Sequence, residues 1–147
     1  MERPYSPPLG LPLRAFLPRR ALLVGHARSF RDDKNAALAS YDQALEIFKQ
    51  VGDKLGKADV CLSKGEMTND PGEFEEAIRL NEQIGNRYSI ARGKAFYGSM
   101  LMKSNDSGRS VKLLGDAREA WAAIKYDNGV QWIDELLAEK EKCEDDE

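Results

Sequence analysis

Residues 41–58 read YDQALEIFKQVGDKLGKA. Ala44, Leu45, Phe48 and Val51 recur at the spacing that places apolar side chains on one stripe of a helix. Gly52 ends that helix, because glycine enters the left-handed conformation past a helix terminus without a Cβ clash. Asp53 follows at once as a capping acceptor, so Leu55, Ala58 and Val60 belong to a second helix. The segment is therefore one unit of helix, tight turn and helix.

The unit recurs. Ile84-Gly85-Asn86-Arg87 repeats Val51-Gly52-Asp53-Lys54 at an offset of 33. Ala77, Leu80, Ala91 and Gly98 answer Ala44, Ile47, Ala58 and Gly65 at the same offset of 33. A third copy lies 40 residues further on, where Ala117, Ala120 and Ile124 answer Ala77, Leu80 and Ile84. Periods of this length mark a stacked helical array.

The spacing Gly25, Ala37, Tyr41, Ala44 resembles the tetratricopeptide repeat pattern, in which a glycine, an alanine, an aromatic residue and a second alanine sit at fixed intervals. Gly98, Ser110, Leu114 and Ala117 follow it with two substitutions, and Gly65, Phe74 and Ala77 follow it in part. The resemblance covers roughly residues 19–142. It implies an all-α fold, a right-handed α-solenoid of about three hairpins closed by a C-terminal capping helix. It also implies a scaffold whose first helices line a concave groove for a peptide or helix of a protein partner. Transferred by register, the groove residues are Arg19, Leu22, His26 and Ser29; then Asp59, Leu62, Glu66 and Asn69; then Arg92, Ala95, Ser99 and Met102. Leu22, Leu62 and Met102 would be the apolar anchors. Chaperone-tail binding is not expected, because Leu22 and His26 replace the cationic and amide groups of that carboxylate clamp.

The repeats are unequal. Gly65 to Ala77 spans 12 residues, whereas Gly25 to Ala44 and Gly98 to Ala117 each span 19. The second hairpin is thus expected to be stunted, its deficit shared between its helices. Helices are predicted at Arg19–Phe30, Asn35–Val51, from Lys54, from Pro71, at Arg87–Lys103, at Arg109–Lys125 and from Asp127 to about Lys142. Asp70, Pro71 and Glu73 read as a helix start with a reciprocal capping box.

Composition fits one domain with a single core: 147 residues, 41% hydrophobic and 32% charged, with a net charge of −3. Charge is polarised along the chain. Arg3, Arg14, Arg19, Arg20, Arg28 and Arg31 face only Glu2 at the front, while Asp134, Glu135, Glu139, Glu141, Glu144, Asp145, Asp146 and Glu147 dominate the end. Residues 1–18, rich in proline and arginine, are expected to be a disordered lead-in, and residues 143–147 an acidic disordered tail. An organelle-targeting leader and a proline-rich ligand are the other readings of the first segment. No run reaches the ~20 apolar residues of a membrane span.

Cys61 and Cys143 make no disulfide framework, which points to a reducing, cytoplasmic setting. Cys61 is expected to be a buried thiol. Neither cysteine has metal-ligand spacing, His26 has no catalytic motif around it, and the glycines form no phosphate loop. No enzyme, cofactor or metal is expected. Trp121 and Trp132 read as packing residues. Two other classes are compatible with a helical array. One is a regulatory or self-associating fragment of a larger assembly. The other is a single-stranded RNA-binding repeat, against which the sequence pI of about 5.4 and the uneven 33 and 40 spacing both argue. A protein or peptide partner, with neither nucleic acid nor membrane, is the expectation.

Overall fold

The computed structural model describes residues 33–104 and 106–145, and these are helical, with no strand among them. The helices are α1 (Lys34–Val51), α2 (Lys54–Thr68), α3 (Pro71–Ile84), α4 (Arg87–Lys103), α5 (Ser107–Ala123) and α6 (Asp127–Asp145). The expected first helix at 19–30, with Gly25, lies outside the described residues. Contacts group the chain into two compact units, Met1–Val60 and Cys61–Glu147, with the boundary inside α2.

In the first unit, Ala37, Tyr41, Ala44 and Phe48 form the buried stripe of α1, all at 2% exposure or less. Asp33 caps α1 by accepting from the Ala36 amide at 3.1 Å, and Asp53 caps α2 by accepting from the Gly56 amide at 2.9 Å. The Phe48 ring lies so close to Gly56 that a Cβ there would overlap it. Glycine at that point is therefore a matter of space, because α2 can approach α1 only where it lacks a side chain.

In the second unit each helix packs on the one that follows it. Gly65 of α2 lies under the Phe74 ring of α3, and Lys64 pairs with Glu73 at 3.2 Å. Phe74 stacks on Tyr97 of α4 with centroids 5.4 Å apart and rings 2° from parallel. Gly98 of α4 admits Leu114 of α5, and the Ser110 hydroxyl donates to the Gly98 carbonyl at 2.8 Å. Ala91, Ala95, Leu114, Ala117, Trp121 and Ile133 form a core shared by α4, α5 and α6. Cys61 is buried in this unit at 3% exposure, and Cys143 is exposed.

Three of the turns share one local geometry. After α1, α3 and α5 the chain makes the same turn. The amides of Asp53, Asn86 and Tyr126 bond back to the carbonyls of Phe48, Asn81 and Trp121 at 2.9, 3.1 and 2.8 Å. The left-handed residue in each turn is Gly52 (φ 71°), Gly85 (φ 78°) or Lys125 (φ 58°). Likewise Ala44, Ala77 and Ala117 are all at 1% exposure or less, as are Ala58 and Ala91.

The short hairpin is explained by its boundaries. Relative to α4 and α5, the deficit of 7 residues divides as 2 at the end of α2, 1 in the loop and 4 at the start of α3. Three details differ from expectation. Asp70 caps α3 by accepting from the Gly72 amide at 2.9 Å, but Glu73 leaves the capping box to reach Lys64. The α5 helix starts at Ser107, because Asp106 is the cap that accepts from Arg109 N–H at 3.4 Å, and it stops before Lys125. Finally, α6 runs on through Cys143 and Glu144 to Asp145.

Candidate partner-binding surface

Of the residues assigned to a groove, Arg19, Leu22, His26 and Ser29 lie outside the described residues. Asp59 is half-buried and belongs to the first unit. Leu62 and Ala95 are core residues, at 4% and 0% exposure, and so present no anchor to a partner. Register places them on the first helices of their hairpins, but the close spacing of neighbouring helices covers them. Glu66 and Asn69 are exposed, whereas Arg92, Ser99 and Met102 are half-buried, with Met102 packed against the shared core. The second unit thus keeps Glu66, Arg92, Ser99 and Met102 at or near its surface.

Arg92 organises this surface. Its guanidinium lies over the Phe96 ring, 5.7 Å from the centroid. Phe96 in turn stands 5.2 Å from Trp132 of α6, and Trp132 stands 6.4 Å from Trp121. The result is an aromatic wall carrying a cation, built from α4, α5 and α6. Trp132 and Phe96 were not assigned to the groove. A signal for Trp132 was present: it lies 40 residues after Arg92, the offset that also separates Gly85 from Lys125.

Glu66 is coupled to the same cation. Burial pushes its carboxyl above the usual carboxylate value, and the charge of Arg92 opposes that shift without cancelling it. The residue as a whole remains exposed. Lys94 is half-buried and reaches Asp116 of α5 at 3.6 Å.

A second polar junction ties α3, α4 and α5 together. The Tyr97 hydroxyl and Arg109 Nη2 both donate to Glu75 Oε1, at 3.0 and 2.8 Å, and Arg109 lies 5.0 Å above the Tyr97 ring. The Arg109 hydrogen bond, with that of Tyr97, holds Glu75 below the ordinary carboxylate range. Every member of this junction has a partner within it, which marks it as a clamp between helices.

Among the described residues no cluster of His, Cys, Asp and Glu is placed to hold a metal ion, and no helix is long and apolar enough to cross a membrane. Compared with family models, with curated proteins and with solved structures, the chain finds no match.

Proposed function

We propose that the chain is a protein-interaction scaffold of the tetratricopeptide type, whose hairpins stack into a right-handed solenoid and whose first helices present a groove to a peptide of mixed charge. The observation that carries this reading is the pairing of a hemmed-in carboxyl, Glu66, with a cation lying on an aromatic wall, Arg92 on Phe96 and Trp132. Glu66 costs stability at neutral pH, since burial disfavours its charged form, and groups held at such a cost are characteristic of binding sites. A lysine or arginine of the peptide answers Glu66, an acidic side chain answers Arg92, and an apolar residue packs on Phe96 and Trp132, which supply the anchoring that Leu62 and Ala95 do not. Ser99 lies on the same helix as a polar contact.

The test is selection of peptides from a displayed random library by the intact chain. Wild type should enrich sequences with one basic and one acidic residue flanking an aliphatic or aromatic residue. The double variant Glu66→Lys, Arg92→Glu should enrich sequences with the two charges exchanged. Enrichment of the same sequences by both proteins removes these residues from the binding surface.

A further inference from the structure

We infer that Arg92, Tyr88 and Tyr126 form a carboxylate-binding subsite that takes an aspartate or glutamate side chain of the bound peptide. The subsite rests on the groove reading above and adds two residues and a class of anion to it. Tyr88, Arg92 and Phe96 are spaced by four along α4, which sets them on one stripe of that helix. The Arg92 guanidinium lies 5.7 Å from the Phe96 centroid, and the Tyr88 ring meets Tyr126 edge-on at 5.1 Å.

Arg92 lacks what its neighbours have. The exposed Arg79, Arg109 and Arg118 each hold a carboxylate, at 2.7, 2.8 and 2.6 Å. Arg92 is less exposed, yet among the described residues it makes no hydrogen bond and no ion pair, and Glu66 feels its charge without pairing with it. Cations withdrawn from water are ordinarily answered by an acid.

The junction of α3, α4 and α5 shows how this chain answers one. There Arg109 lies over the Tyr97 ring, and its guanidinium and the Tyr97 hydroxyl both donate to Glu75. The same parts recur at Arg92, a guanidinium on an aromatic ring with a tyrosine one turn away, but no acid among the described residues accepts from them. A hydrogen bond with Tyr126, then burial, pushes the Tyr88 hydroxyl above the usual tyrosine value, while the charge of Arg92 acts in the opposite direction. Tyr88 is therefore the donor in that bond, and the Tyr126 hydroxyl keeps its proton to donate outward. One guanidinium with one free O–H matches a carboxylate. A phosphate carries nearly a second charge and would be repelled by Glu66, which shares the field of Arg92.

The probe is the most enriched peptide from the displayed library. It is synthesised with its acidic residue kept, replaced by the corresponding amide, or replaced by phosphoserine, and each form is titrated into the full chain by fluorescence anisotropy. Wild type should bind the acidic form about tenfold more tightly than the amide form. Tyr88→Phe with Tyr126→Phe keeps both rings and should reduce that ratio about fivefold, and Arg92→Ala should abolish it. Circular dichroism of each variant establishes that the helices are intact. An unchanged ratio in the phenylalanine variant, with Arg92→Ala still abolishing it, would overturn the subsite and leave the groove reading standing. Tighter binding of the phosphoserine form than of the acidic form would overturn the carboxylate. A library from which wild type enriches no acidic residue would overturn the groove reading and the subsite together.

Discussion

The hairpin of α2 and α3 and the hairpin of α4 and α5 share a plan and close differently. In both, a glycine of the first helix lets a large side chain of the second come close: Gly65 with Phe74, Gly98 with Leu114. Both end in the same left-handed turn. The position that accepts the backbone bond of that turn, however, is Trp121 after the long hairpin and Asn81 after the short one. Trp121 lies against Gly129 and joins a set of rings with Tyr88, Tyr126 and Trp132. Asn81 is 3% exposed, donates to the Ala77 carbonyl at 3.0 Å, and leaves its own side-chain oxygen without a hydrogen-bond partner. The residue eight further on varies in step. It is Gly56 after Phe48, Ser89 after Asn81 and Gly129 after Trp121. The difference teaches that crossing points and turns are constrained, while the closing side chain varies, with glycine against it where it is a large ring, Phe48 or Trp121.

The largest effect should come from filling the space beneath the tryptophan. Gly129→Leu drives a side chain into Trp121 and Tyr126, and is expected to cost about 3 kcal/mol in urea unfolding. Gly115→Ala, where a Cβ meets nothing within 4 Å, should instead stabilise by about 0.5 kcal/mol through helix propensity. Equal behaviour of the two would dissolve the distinction between spatial and incidental glycines.

Next comes the asparagine. Asn81→Phe gives the short hairpin the closure of the first turn, but the ring then competes with the Ser89 Cβ. The single variant should lose about 1–2 kcal/mol by overpacking. Adding Ser89→Gly should recover that loss and exceed wild type by about 1 kcal/mol, since an unsatisfied buried carbonyl has been removed. Additive single and double variants would show that the two positions do not face each other.

A smaller effect concerns the turns. Lys125 holds φ 58° where the other two turns have glycine. Lys125→Gly should raise stability by about 0.5–1 kcal/mol, and Gly85→Lys should lower it by a similar amount. Thermal midpoints that move in the same direction for both would contradict an equivalent backbone at the two sites.

The smallest effect is pH-dependent and joins the two hairpins. Glu75 of α3 is held below its ordinary value, first by Arg109 of α5 and then by Tyr97 of α4. A depressed carboxylate contributes stability above its unfolded value of 4.5 and loses that contribution as pH falls through its lower folded value. Since Glu75 is largely exposed, the contribution is at most about 0.5 kcal/mol and should fade with salt. Glu66 has the opposite sign: its contribution is present below 4.5 and lost as pH rises through its elevated folded value. Stability measured from pH 3 to 7 should therefore fall less on acidification in Glu75→Gln and more in Glu66→Gln than in wild type.

Much of the helical layout was legible because its signals are local. The span Arg87–Lys103 needs only an apolar period, the Asn86 cap and the Ser104 stop, and it forms as expected. Gly52 and Gly85 read directly as left-handed turns. Lys125 did not, because nothing in a lysine signals positive φ; only its place 40 residues after Gly85 does. Glu73 was misjudged because a capping box is a local option, whereas Lys64 of the neighbouring helix offers it an opposite charge. The candidate surface was legible in part. Glu66 and Arg92 carry charge wherever a helix places them, but whether Leu62 and Ala95 face a partner or the core depends on which helices come to lie beside them.

The sequence by itself determined that the described residues are helical and where most of their helices start and turn, because caps, glycines and apolar period act over a few residues. Only the tertiary structure decided that Arg92 rests on Phe96 beside Trp132, and that Asn81 keeps an unanswered carbonyl. Those facts depend on close packing between segments remote in sequence, where a single methyl group decides which side chains fit.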